Sequence, residues 1–137
     1  RFGNIPSRYH PRFWHYTDYT ECSIPRDLSN KVILITGASS GIGYQSAKLL
    51  ASRGANVILG IRGTRERLDN ITQSISGQVV APAPLDLSDY TSIRGFVNTL
   101  AATGIKHLDI LILNAGKRAI TFTPNADGVE WMLATHH

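Results

Sequence analysis

Residues 36 to 48 read TGASSGIGYQSAK and put two kinds of chemistry side by side. Gly37, Gly41 and Gly43 make a glycine-rich turn of the type that receives a phosphate. Tyr44 and Lys48 stand four residues apart. An ammonium beside a phenol lowers the phenol's pKa, so this spacing is also that of a proton-transfer pair. Which half carries function depends on the elements that position each.

Those elements are regular from Lys31 onward. VILIT, residues 32–36, is a short β-branched apolar run closed by glycine, which predicts a buried strand. A helix is expected from about Gly41 to Arg53, stopped by Gly54. NVILGI, residues 56–61, predicts a second strand, and Leu68, Ile71 and Ile75 mark one face of the next helix. A third strand is expected over residues 78–85, where the prolines suit a sheet edge. Ser88 is a candidate N-cap for a helix that buries Ile93, Phe96, Val97 and Leu100 in one stripe. LDILILN, residues 108–114, predicts a fourth strand, apolar enough to be covered on both faces. A last helix is expected from about Ala126. Strands alternating with helices give an α/β fold with parallel βαβ units. With the first strand central, the expected order is 3-2-1-4.

The turn after the first strand has a physical logic. Gly37 permits the sharp bend, and Gly41 lets main-chain N–H groups approach a pyrophosphate with no Cβ in the way. Gly43 lets the helix pack closely on the sheet. The helix N-terminus then faces the anion with about half a positive charge. Ser39 and Ser40 can donate to phosphate or cap the helix. The spacing G-x-x-x-G-x-G differs from G-x-G-x-x-G, and no Gly-Lys-Ser/Thr follows, so this is no Walker loop. Between a buried strand and a helix, it reads as a dinucleotide site.

The cofactor type is read after the second strand. An acid there binds the ribose 2′-hydroxyl of NAD, whereas an arginine accommodates the 2′-phosphate of NADP. The stretch is GIRGTR, residues 60–65, and Ile61 holds the place expected for the acid. Arg62 lies 19 residues beyond Gly43, and its guanidinium fork matches a phosphate. NADP(H) is therefore favoured over NAD(H). The competing reading of Arg62 is a solvated loop cation.

Composition bounds the rest. The chain has 137 residues, 42% hydrophobic and 18% charged, which suits one modest globular domain. A net charge of +4 is too small to imply nucleic acid. Residues 1–30 are set apart as an irregular arm in which Phe2, Tyr9, Phe13, Trp14, Tyr16 and Tyr19 crowd among basic residues. Asp18, Glu21 and Asp27 nearly cancel its arginines, which argues against nucleic-acid stacking. Residues 31–137 form the dinucleotide-binding part. The single cysteine, Cys22, has no partner for an internal disulfide. The apolar runs are far shorter than the roughly 20 residues that span a bilayer, and no signal-peptide pattern is present.

TGASSGIG after a strand, Asp86-Leu87 after the third strand and Asn114-Ala115-Gly116 after the fourth resemble the short-chain dehydrogenase/reductase family. The likeness runs from about Asn30 to the last residue. Within the family, SGIGYQSAKLLASRGANVILGIRGTRER and DGVEWMLATHH are most similar to the branch of the retinol dehydrogenases and the WW-domain-containing oxidoreductase. The resemblance implies a Rossmann-type doubly wound parallel sheet, ending here after about four strands. It implies that Gly37, Gly41 and Gly43 hold the pyrophosphate, Ile42 lies along the cofactor edge and Arg62 meets the 2′-phosphate. Asp86 would bond the adenine amino group with Leu87 beside the ring. Asn114, Ala115 and Gly116 would form the loop next to the ribose and steady the central sheet. The plainer readings are a helix-initiating acid for Asp86 and a turn former for Asn114.

His136 stands where the family often has an asparagine that helps position the catalytic lysine; its reach and tautomer differ, and no catalytic role is assigned to it. The family's catalytic serine and Tyr-x-x-x-Lys pair come from later elements, so no catalytic residue is assigned within this chain. Tyr44 and Lys48 are not that pair. Their helix starts beneath the pyrophosphate, and a general acid must come within about 2.6–3.2 Å of the reacting oxygen. Tyr44 is assigned to packing and Lys48 to a solvated face.

The resemblance implies the cofactor-binding portion of an NADP(H)-dependent oxidoreductase acting on an alcohol/carbonyl pair, with an apolar retinoid-, steroid- or lipid-like substrate. The alternative is a non-catalytic nucleotide-binding or regulatory module. Expected partners are the dinucleotide and a small apolar substrate, with no nucleic acid and with homo-oligomers compatible. An intracellular, cytoplasmic setting is expected, with membrane anchors outside this region left open. Strand four left as a bare apolar edge should make the isolated chain poorly soluble.

Overall fold

The computed structural model describes residues 27–118 and 121–136. Most of the aromatic arm, residues 1–26 with Cys22, lies outside the described residues. Four parallel strands form one sheet in the order β3-β2-β1-β4. They are β1 (Val32–Thr36), β2 (Asn56–Gly60), β3 (Val79–Val80) and β4 (Ile110–Ile112). The helices are α1 (Gly41–Ser52), α2 (Arg65–Gln73), α3 (Tyr90–Ala102) and α4 (Trp131–His136). Strand β1 pairs with β2 from Val32↔Asn56 to Thr36↔Gly60, and with β4 from Ile33↔Ile110 to Ile35↔Ile112.

Alternate side chains divide between two cores. Ile33, Ile35, Val57, Leu59 and Ile61 bury toward α1 and α2, where Ala47, Leu50, Leu68 and Ile75 meet them. Leu34 and Ile58 bury on the other face against Leu85 and Phe96 of the α3 side. This double cover explains why β1 and β2 are apolar throughout. Leu28 belongs to the first core, and its N–H donates to the carbonyl of Arg53 at 2.8 Å, so packing begins before β1.

Several elements differ from the sequence expectation. Strand β3 has two residues where eight were expected, because Pro82 and Pro84 have no N–H to continue the ladder. It is an edge strand, and Leu85 N–H returns to the carbonyl of Ile61 at 2.8 Å. The N-cap of α3 is Asp89, whose carboxylate accepts from Thr91 N–H at 2.8 Å; Ser88 is buried and bonds Asp86 instead. Val97 is 54% exposed and drops out of the buried stripe, leaving Phe96 at its centre. Strand β4 spans three residues where residues 108–114 were expected; it is the outer strand and is not covered on both faces, with Leu111 52% and Leu113, just past it, 76% exposed. Helix α4 begins at Trp131 rather than Ala126. The Asn125 side-chain oxygen captures the N–H groups of Asp127 and Val129, which holds this stretch in a turn. Glu130 then accepts from Leu133 N–H at 2.8 Å and starts the helix.

Candidate functional site

The chain leaves β1 for β2 and β3 on one side and returns to β4 on the other. A crevice therefore opens at the C-terminal end of β1, at the reversal of strand order. It contains an open cleft of about 590 Å³.

The floor is the β1–α1 turn. Gly37 and Gly41 have φ of +70° and +57°, which only glycine adopts at little cost. Gly37, Ser39, Ser40, Ile42 and Gly43 line the cleft, with Ile42 80% exposed. Gly41 is the one expected cofactor residue that does not line it, and a Cβ there would meet nothing within 4 Å. Ser40 is the N-cap residue of α1 but makes no side-chain cap bond, and the first turn carries no acid. The first N–H donors of α1 thus keep their capacity for an outside anion.

The floor is locked to the loop after β4. The hydroxyl oxygen of Thr36, a buried side chain, accepts from Asn114 N–H at 3.1 Å and Ala115 N–H at 3.0 Å. The Asn114 amide donates to the carbonyls of Thr36 and Gly37 at 3.0 and 3.4 Å. Gly43 is needed for this contact, since a Cβ there would lie 2.4 Å from Asn114 Nδ2 and 2.7 Å from the Gly37 oxygen. The close approach is to this loop and turn. Gly37 faces Ala115 in the same way, at 2.7 Å from its Cα. Asn114, Ala115 and Gly116 all line the cleft.

Arg62 and Asp86 line the flank beyond β2 and β3, with Leu87 beside them. Asp86 Oδ1 accepts from Ser88 N–H at 2.9 Å and from its hydroxyl at 2.6 Å. Its other oxygen lies 3.8 Å from Arg62 Nη1. Partial burial pushes the Asp86 carboxyl up, but the two Ser88 bonds and Arg62 outweigh it and hold the group below its usual range. Arg62 is therefore paired with an acid rather than free in a loop. The nearby Arg65 faces elsewhere, pairing with Asp69 at 2.8 Å and donating to the carbonyls of Ala81 and Pro82.

Sequence reasoning missed Arg67, Lys117, Trp131 and Thr135, which also line the cleft. Trp131 and Thr135 are four apart on α4, a spacing that marks one face once the helix start is known. Lys117 Nζ sits 4.5 Å from the centre of the Trp131 ring and Arg62 Cζ 5.9 Å from it. Three cations, Arg62, Arg67 and Lys117, face one lining carboxylate, Asp86. His136 lies outside the lining and accepts from Lys117 N–H at 3.1 Å, tying the loop after β4 to α4.

Tyr44 and Lys48 do not reach the cleft. The Tyr44 hydroxyl is 3.0 Å from Ser74 Oγ at the end of α2, its ring packs on the core, and Lys48 Nζ lies 5.7 Å from that ring. Among the described residues no cluster of His, Cys, Asp or Glu could hold a metal ion, and no helix is long and apolar enough to cross a membrane.

Comparison with known proteins gives a consistent result. A family model described as short chain dehydrogenase matches residues 31–135. Human retinol dehydrogenase 11 is 40% identical over 119 residues, covering 85% of this chain and 37% of the relative. The WW domain-containing oxidoreductase of Drosophila melanogaster is 36% identical, covering 82% and 28%. The structure of L-sorbose reductase from Gluconobacter frateurii, complexed with NADPH and L-sorbose, superposes with a TM-score of 0.60 at 29% identity. It covers 70% of this chain and 37% of that one. The chain spans about a third of the length of the curated relatives it matches.

Proposed function

Because the chain belongs to the short-chain dehydrogenase family, we propose that it is the cofactor-binding portion of an NADP(H)-dependent oxidoreductase acting on an alcohol/carbonyl pair. The observation that carries this reading is the cleft itself. The uncapped start of α1 faces a glycine turn, Arg62 rather than an acid follows β2, and Arg67 and Lys117 also line the cleft. The glycine turn and the α1 N–H groups would hold the pyrophosphate. Arg62 would bind the 2′-phosphate. Asp86 and Leu87 would take the adenine, and the Asn114–Gly116 loop would border the ribose toward the nicotinamide. The bound nicotinamide supplies or accepts the hydride. In the whole protein, a tyrosine activated by a lysine exchanges the hydroxyl proton and a serine orients the carbonyl. An apolar retinoid-, steroid- or lipid-like substrate fits the likeness to the retinol dehydrogenase branch, and an intracellular, cytoplasmic setting accompanies it.

The test is Arg62→Ala in the full-length protein. Losing a guanidinium–phosphate contact should weaken NADPH by roughly ten- to a hundredfold, with NADH changed little. Equal effects on both dinucleotides would refute the assignment of Arg62. A second reading is a nucleotide-binding module without catalysis. Such a module would use the same cleft, from which Tyr44 and Lys48 face away. NADPH-dependent reduction of an apolar aldehyde by the full-length protein separates the two.

A further inference from the structure

Trp131 occupies a position that the glycine turn does not explain. The sheet order places β2 and β4 on opposite flanks of β1. Arg62 follows β2, and Lys117 follows β4. Both cations nevertheless lie within 6 Å of the same indole ring, at 5.9 and 4.5 Å. The ring therefore reaches across the crevice and gathers charge from its two sides. Trp131 is itself half-buried and lines the cleft.

The chain fixes this arrangement at several points. Trp131 N–H donates to the carbonyl of Thr123 at 2.9 Å, which sets the start of α4. Lys117 is tied to α4 twice, by its N–H to His136 Nε2 and by its ammonium to the indole. Arg62 is steadied on its other side by Asp86. Two cations drawn toward one place repel each other. The electron-rich face of an indole offsets that repulsion without adding a formal charge that would compete for a phosphate.

We propose that Trp131 is a specificity-determining residue of the dinucleotide site: its indole, anchored to the loop after β4 through Lys117, holds the Arg62 guanidinium across the crevice in position for the 2′-phosphate. The inference rests on the reading of the cleft as an NADP(H) site and adds to Arg62 the two residues, Trp131 and Lys117, that fix its position. A ligand without the 2′-phosphate gains little from a positioned Arg62, so the indole acts on the ratio of affinities.

Isothermal titration of NADPH and NADH into the full-length wild type, Trp131→Phe, Trp131→Leu and Lys117→Met tests this. Trp131→Leu and Lys117→Met should each weaken NADPH about three- to tenfold while NADH stays within about twofold. Trp131→Phe keeps an aromatic face and should retain most of the preference. Lys117 is exposed, so its substitution reports even where loss of the indole disturbs folding. An unchanged NADPH-to-NADH ratio in Lys117→Met and Trp131→Leu, with or without a uniform loss of affinity, overturns the proposal while leaving the cleft assignment standing. Failure of the folded wild type to bind either dinucleotide overturns both.

Discussion

Replacing three glycines by alanine should give three different outcomes, and the structure sets each. At Gly43 the new Cβ would lie 2.4 Å from Asn114 Nδ2 and 2.7 Å from the carbonyl oxygen of Gly37. The second neighbour is backbone and cannot swing aside. Forcing a methyl into such a contact costs about 1–3 kcal/mol. Displacing Asn114 weakens its bonds to the Thr36 and Gly37 carbonyls, at about 1 kcal/mol each. Alanine's better helix propensity returns about 0.5–1 kcal/mol. The net expectation is a loss of about 2–4.5 kcal/mol. At Gly41 there is open space, but φ is +57°, so alanine should cost about 1–2 kcal/mol from backbone strain alone. At Gly95, inside α3 with nothing within 4 Å, alanine should stabilise by about 0.5–1 kcal/mol. Thermal unfolding of the full-length variants should rank Gly95→Ala above wild type, then Gly41→Ala, then Gly43→Ala. A Gly43→Ala protein as stable as wild type would refute the claim that the turn and the loop after β4 are packed to contact.

Thr36→Val keeps the shape but removes the acceptor of two N–H groups, and should cost about 2–3 kcal/mol in urea unfolding, whereas Thr36→Ser should stay within about 1 kcal/mol of wild type. Tyr44→Phe loses only the contact with Ser74, so stability should fall by about 1 kcal/mol or less and turnover of the full-length enzyme should stay within roughly twofold; a loss of several orders of magnitude in a folded protein would contradict the packing role. Asp86 has a carboxyl held below its usual range, so its ionised form stabilises the fold at pH values above the ordinary aspartate pKa of about 3.9. That contribution fades as pH falls through the depressed value. Asp86→Asn should therefore be destabilising by a constant amount at neutral pH and converge on wild type in acid, and a difference growing on acidification would oppose the assignment.

The central strands and the glycine turn were legible in the sequence because their signals are local. VILIT and NVILG are apolar through double burial, and Gly37 and Gly41 sit where φ is positive. The sheet order is the one expected with the first strand central. What stayed hidden depends on contacts distant in the chain. The N-cap of α3 moved from Ser88 to Asp89 because the Ser88 side chain is engaged by Asp86. Helix α4 starts five residues later than its sequence pattern suggests because Asn125 diverts two N–H groups into a turn. That shift hid the face carrying Trp131 and Thr135. Thr36 looked like the end of a strand, and only its 78-residue-distant partner Asn114 reveals its hydroxyl as the pin between turn and loop. Strand β4 read as fully buried from its apolar content, while its place at the sheet's outer side leaves Leu111 and Leu113 exposed.

The most direct test of the account is calorimetric titration of the full-length wild-type protein with NADPH and, separately, NADH at one ionic strength. The cationic cleft and the absence of an acid at the end of β2 predict that NADPH binds at least roughly tenfold tighter. NADH binding as tightly as NADPH, or neither binding to folded protein, would contradict it.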